Sequence, residues 1–304
     1  MSGFEAGWKE DVMKDRVNNL RCTIRAVAAL SLATTFVVST NAVAASRQAA
    51  VVEAPRPSYA RVADLVIASP AIAHVSVKKL TAIPAERAPG LEPGMQRFLV
   101  TADTLSLIRG NDVLAREASF LIDLPGATGA KPPNWKGRAF LIFGKVEQRV
   151  DFFQLLASNA LISWSRENEE MVRRVARDFA ASDAPPLIEG VDSVFHVAGA
   201  IQGEGETQIF LVTGDGSPIS LSIVRRPDEQ PHFGVSLGEI VDEAAAMPER
   251  NTPLWYRLAC SLPARMPPSA LAGQTSAEAS AAARDYAAFQ EALGPCARTP
   301  TPLD

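Results

Sequence analysis

Four short strand-like runs between Val194 and Leu237, separated by turn residues, leave few folds open to this chain. In the third run Ile219, Leu221 and Ile223 alternate with Ser220 and Ser222, and in the fourth Phe233, Val235 and Leu237 repeat the alternation. A period of two puts one row of side chains on a buried face and the other in solvent, as in an antiparallel strand covered on one side. Val194-Phe195-His196-Val197 and Thr207 to Thr213 read as the two preceding strands. Between the second and third runs, Gly214-Asp215-Gly216-Ser217-Pro218 supplies residues that tolerate positive φ where a hairpin reverses. The pattern predicts a meander of sequential neighbours.

Upstream, the apolar runs are of another kind. Ala63 to Ile67 and Ala71 to Val77 read as strands interrupted at Ser69-Pro70, where proline forces an edge or a bulge. Phe98 to Leu107, Ser119 to Leu124, Ala139 to Val146 and Asp151 to Ala157 follow. Phe140-Leu141-Ile142-Phe143 is apolar at successive positions, which suits a strand covered on both faces. Residues 61–160 are therefore expected to form a small barrel or sandwich of the OB or SH3-like kind.

The period then changes to that of helices. Ser165 is an N-cap, Glu167, Glu169 and Glu170 load the first turns with negative charge, and Val172, Val175 and Phe179 make one apolar stripe before Pro185-Pro186. Residues 161–187 are thus a linking amphipathic helix, expected to bury that stripe. Residues 188–262 hold the meander and a short helix that starts at Thr252-Pro253 and presents Leu254, Trp255, Leu258 and Leu262. Residues 263–275 read as a proline-rich linker. In 276–304 Thr275 to Glu278 forms a capping box, Tyr286, Phe289 and Leu293 a stripe, and Gly294-Pro295 a stop. The fold class expected is α+β, mainly β.

The first residues carry an address. Ala26 to Thr40 is uncharged and largely apolar, preceded by Lys14, Arg16, Arg21 and Arg25 and followed by Asn41-Ala42-Val43-Ala44-Ala45-Ser46. A basic region, an apolar core shorter than the ~20 residues that span a bilayer, and small residues before a cut describe a signal peptide over residues 1–45. The acidic Glu5, Glu10 and Asp11 suit such a leader poorly, so Met13 is the expected start of translation. Residues 46–60 are expected to be a flexible leader, and the exported chain to be soluble, with no stable membrane insertion once the signal is cut. Periplasmic or secreted localisation follows. Cys22 leaves with the signal, and Cys260 and Cys296 remain as an even pair in an oxidising compartment, where a disulfide between them is expected.

Chemistry-bearing motifs are scarce. The formal net charge is −4 and the basic residues are not gathered on one run, so a nucleic-acid partner is not expected. No glycine-rich phosphate loop, paired-histidine zinc motif or nucleophile elbow occurs, and neither a cofactor nor a metal is expected. His74 shares a strand face with Ser76 and Lys78 and reads as solvated, as does His232 in a turn. His196, flanked by Phe195 and Val197, precedes a glycine-rich loop that carries Glu204 and Glu206. A histidine beside two carboxylates is able to do general acid and base work if a cleft brings them together; otherwise the glutamates share a solvent face. Lys131 to Lys136 forms a basic loop around Trp135, which is expected to fold back onto the barrel rather than to stack on a ligand.

Val194-Phe195-His196-Val197, Glu206-Thr207-Gln208-Ile209-Phe210-Leu211, Gly238-Glu239-Ile240-Val241-Asp242 and Leu254-Trp255-Tyr256-Arg257-Leu258-Ala259-Cys260 together resemble a family of uncharacterised exported proteins of Gram-negative bacteria. The resemblance implies export and a shared fold over roughly residues 60–262, and carries over no catalytic residue or cofactor. The chain is therefore expected to be an exported binding or envelope-associated protein without enzymatic activity, whose partner is an envelope protein or polymer. The alternative is a periplasmic hydrolase of an envelope polymer that uses Glu204, Glu206 or His196.

Overall fold

The computed structural model describes residues 56–110, 113–126, 131–238 and 245–299. The signal peptide expected at residues 1–45, the leader up to 55 and the tail beyond 299 lie outside them. The chain opens on helix α1 (Tyr59–Ala68), capped by the Ser58 side chain, which accepts from the Arg61 N–H. The expected strand over Ala63 to Ile67 is therefore helical, and the expected leader already ends at Ser58. β-branched Val62, Val66 and Ile67 argue for a strand in isolation. Burial overrides them: Tyr59, Val62, Ala63 and Val66 recur at helical spacing and all face the interior.

Six strands follow: β1 (Ala71–Ala82), β2 (Met95–Arg109), β3 (Glu117–Pro125), β4 (Ala139–Val146), β5 (Phe153–Leu155) and β6 (Leu161–Ser163). They form one antiparallel sheet in the order β3-β2-β1-β4-β5, with β6 also on β4. The sheet curls until its ends nearly meet, where the Ser119 N–H donates to the Asp151 carbonyl at 2.8 Å and the Ala115 N–H to that of Val150 at 2.7 Å. This is the barrel-like unit read from the sequence, with β6 as an addition too short to be seen there. Val75, Phe120, Phe140 and Ile142 fill its interior. Leu141 and Phe143 point the other way into a second core, which is why β4 is apolar at successive positions. Gly144 is required where β5 turns onto β4, since a Cβ there would lie 1.9 Å from the Gln154 carbonyl oxygen. Trp135 is folded back: it is 2% exposed, and its ring packs 4.8 Å from that of Phe140.

Helix α2 (Arg166–Asp178) begins at Ser165, whose hydroxyl accepts from the Asn168 N–H. Val172 and Val175 are buried as expected, whereas Phe179 caps the C-terminus half-buried, edge-on to Tyr256 at 5.6 Å. The helix packs against α1. Strands β7 (Ile188–Ala198), β8 (Gly205–Thr213), β9 (Ile219–Arg225) and β10 (His232–Ser236) then form the expected meander in the order β10-β9-β8-β7. Helix α3 (Pro253–Ser261) and helix α4 (Ser276–Leu293), which opens with the complete Thr275–Glu278 capping box, cover one face of it. The stretch between them is no free linker: Met266 and Ala270 are buried, and a single turn at Pro268–Leu271 packs on β7. The described residues belong to one compact unit, Val52–Asp304, and the outer face of β4, the helices and the second sheet share one apolar core.

Cys260 on α3 and Cys296 beyond α4 form a disulfide with their Cα atoms 5.1 Å apart. The segment it fastens is also held by charge, since Asp64 of α1 accepts from the Tyr256 hydroxyl at 2.7 Å and from the Arg298 Nε at 2.6 Å. Thr299 closes the arrangement by donating its N–H to the Ser58 hydroxyl at 3.1 Å. The two described termini therefore meet beside the bridge. With the cysteines 36 positions apart in sequence, replacing both by serine is expected to lower stability by about 4 kcal/mol through the freed unfolded chain. Urea unfolding of the two proteins measures it. An unchanged midpoint, or two reactive thiols in the unreduced unfolded protein, would contradict the assignment.

Candidate functional site

The candidate residues lie on the two faces of the second sheet, and the strand period decides which face each one takes. Along β7, Val194 and His196 face the helices, while Phe195 and Val197 face away. His196 pairs across the strands with Thr207, and Val197 pairs with Glu206. The imidazole and the Glu206 carboxylate therefore occupy opposite faces. Glu204 lies in the β7–β8 hairpin, where its side chain folds over Gly199; a Cβ at Gly199 would sit 2.4 Å from the carboxylate. The structure does not bring His196 together with either glutamate.

What it does bring to His196 is a buried ionic cluster that the sequence reading missed. Asp285, on the apolar stripe of α4 between Ala282 and Phe289, is almost fully buried against the sheet. Its two oxygens accept from the Thr207 hydroxyl and from Nε of Arg225. His196 Nδ1 lies 2.8 Å from the same hydroxyl and 3.7 Å from the carboxylate. A carboxylate only accepts, so the Thr207 hydrogen is committed to Asp285 and His196 must donate from Nδ1. This is the reverse of a nucleophile–base–acid relay, in which the imidazole accepts from the hydroxyl and donates to the acid. Nothing here activates Thr207 for attack. The cluster instead satisfies a buried charge and locks α4 onto β7, β8 and β9. A signal was available in the sequence: Thr207 and Arg225 continue the inward rows of Ile209 and Ile223, and Asp285 sits within a helical apolar stripe.

His74 is the second departure from expectation. It stacks flat on Trp164 at 5.0 Å, its Nδ1 lies 3.6 Å from a Glu169 carboxylate oxygen, and its Nε2 is buried without a partner. The solvated face predicted for it is covered by the start of α2, where Glu169 also accepts from the Trp164 indole at 2.6 Å and from Arg173 at 2.7 Å. Burial holds the imidazole below its ordinary pKa, against the opposing pull of Glu169. His232 is exposed, as expected.

The opposite face of the second sheet is open along β7 and β8. On the β9 and β10 side Gly238 and Ala245 lie over it, the Ser220 hydroxyl donating to the Gly238 carbonyl at 3.1 Å and Ala245 lying against Gly234. Beside this cover runs a groove of about 780 Å³ lined by Glu206, Gln208, Ser222, Arg226, Glu229 and His232. A smaller hollow of about 480 Å³ follows at the other end of β8, where Asp192, Phe210 and Val212 meet the β8–β9 turn. Phe195 and Val197 stand exposed on the same face, at 55% and 68%. The groove carboxylates are engaged, Glu206 by the Gln208 amide at 2.9 Å and Glu229 by Arg226 at 3.9 Å. Ser222 pairs across the strands with Gly234 while His232 pairs with Val224, and among the described residues no hydrogen bond joins the Ser222 hydroxyl to the His232 ring.

Among the described residues no three His, Cys, Asp or Glu side chains gather as a metal site, and no helix is long and apolar enough to cross a membrane. Neither a protein-family model nor a curated protein sequence matches the chain.

Two outcomes test this arrangement. Asp285→Ala strands the partly buried Arg225 guanidinium and should cost about 3 kcal/mol in urea unfolding, with Asp285→Asn costing less because it retains a bond to Thr207. Equal, negligible losses would show that the cluster does not hold α4. For His74, the unfolded imidazole takes up a proton near pH ~6.5 and the folded one at lower pH. Below that pH the unfolded state therefore binds more protons, and folding stability falls as the solution is acidified toward the folded pKa. His74→Phe keeps the stacking and should lack this loss. A difference between wild type and variant that is constant from about pH 7.5 to 5 would refute the assignment.

Proposed function

We propose that this protein is an exported, non-enzymatic binding or envelope-associated protein that engages its partner across the open face of β7 and β8. The groove that borders this face, lined by β8, β9, β10 and the β9–β10 turn, carries the proposal: it is polar, and its carboxylates and imidazole stand in no acid–base relay. Export is supported by the basic and apolar leader with its small-residue end, by the resemblance to exported proteins, and by the Cys260–Cys296 bridge, a bond that persists in oxidising compartments. The hydrolase reading needs a histidine and a carboxylate facing one substrate, and His196 instead points into the helical layer with its Nδ1 bound to Thr207.

Co-sedimentation with washed envelope material and with purified cell-wall polymer tests the proposal. The expected result is recovery of intact protein in the pellet, weakened roughly tenfold by Glu206→Arg with Gln208→Arg, as truncating or reversing a central contact weakens interfaces. Soluble fragments released from the polymer, in amounts that grow with time, would favour the hydrolase instead. Retention unaffected by the double substitution would remove the groove from the mechanism.

A further inference from the structure

Resting on the reading of the open face as a binding surface, we infer that its occupant is an extended basic peptide segment, with two cationic side chains flanking an apolar one. The argument starts from β8. Its outward residues are Glu206, Gln208, Phe210 and Val212, so one strand lines both hollows, and its outward row is the track between them. Carboxylates stand at both ends. Glu206 and Glu229 mark one, and Asp192, extruded from the β7 ladder by the register shift between Val191 and Ser193, marks the other beside Phe210 and Val212. Among the described residues Arg226 is the only arginine or lysine lining the track, beside the His232 imidazole, and it is already paired with Glu229.

An aromatic pair runs from the middle of the track, where Phe195 stands across from Gln208, to its Asp192 end. Phe195 and Phe210 meet edge-to-face at 6.0 Å, and Phe195 remains more than half exposed. An aromatic pair left this open on a soluble face offers area to a partner without further ordering. Glu206 and Asp192 are separated by four to five residues along the strand direction, roughly 15 Å at about 3.4 Å per residue. In an extended peptide, residues i and i+4 lie about 14 Å apart on the same side, with i+2 between them. A segment of the pattern Lys-x-Phe-x-Lys thus places one ammonium at each carboxylate end and its ring over the aromatic pair. A second copy of this chain fits less well, since it brings the same carboxylates against each other, and like charges in contact oppose association.

Fluorescence anisotropy with two labelled peptides, Lys-Thr-Phe-Thr-Lys and Glu-Thr-Phe-Thr-Glu, tests this on the full exported chain. The lysine peptide should bind at least about tenfold more tightly than the glutamate peptide, with the preference shrinking as salt rises. Asp192→Lys and Glu206→Lys should each weaken the lysine peptide about threefold to fivefold, and the double variant should reverse the preference. Circular dichroism identifies variants that fail to fold, and the peptide with reversed charge serves as a second readout that folding loss cannot mimic. Equal binding of both peptides, no binding of either, or indifference to the substitutions would overturn the inference. So would a dimer in sedimentation velocity that Phe195→Glu disperses. If envelope retention still depends on Glu206 and Gln208 while neither peptide binds, the binding-face reading stands and the basic occupant alone is lost.

Discussion

Asp285 is the one buried carboxylate of an alanine-rich helix that also carries Glu278 and Glu291, and the asymmetry of the second sheet depends on where it is buried. A charge taken out of water is tolerated only when its partners come with it. Arg225 and the Thr207 hydroxyl supply them from two different strands, and His196 is held through Thr207 from a third. The helix is thereby fixed in rotation as well as in position, so that Tyr286 and Phe289 enter the core and the Tyr286 hydroxyl reaches the Pro263 carbonyl. With one face committed to α3 and α4, the other face of β7 and β8 remains open.

The histidine that stood out in the sequence owes its environment to the same packing. A strand has two faces, and a displacement of one residue separates His196 from Glu206 by the thickness of the sheet. Proximity in sequence suggested a shared site, whereas the pleat puts the imidazole into a structural lock and the glutamate on the opposite face, at the groove along β8. The order of the hydrogen bonds reinforces the point, because a hydroxyl that donates to a buried carboxylate has no proton to give to a base.

The first half of the chain shows a related division of labour on one strand. β4 contributes alternate residues to the barrel interior and to the layer beneath the helices, so the barrel and the meander are not independently buried. The disulfide and the Asp64 pairing with Tyr256 and Arg298 close this assembly where its described ends meet. Stability therefore comes from a shared core fastened where the described ends meet, while among the described residues the open face carries no such fastening.

Local chemistry was enough to read much of this. Alternation fixed the meander, successive apolar residues fixed a two-sided strand, caps fixed the starts of α2, α3 and α4, and the expected loss of Cys22 with the leader left Cys260 and Cys296 as one pair. These signals act over a few residues and do not depend on what lies opposite. Helix α1 escaped because its β-branched residues favour extended backbone locally, and only burial against α2 and β4 reverses the balance. His74 escaped because the face it shares with Ser76 and Lys78 is covered at one end by Trp164 and Glu169, residues far along the chain. The cluster at Asp285 was visible only as polar residues out of place in apolar rows. That they complete one another is a fact about distances between strands and a helix some eighty residues apart in sequence, roughly the span from Thr207 to Asp285, and tertiary packing alone decides such distances.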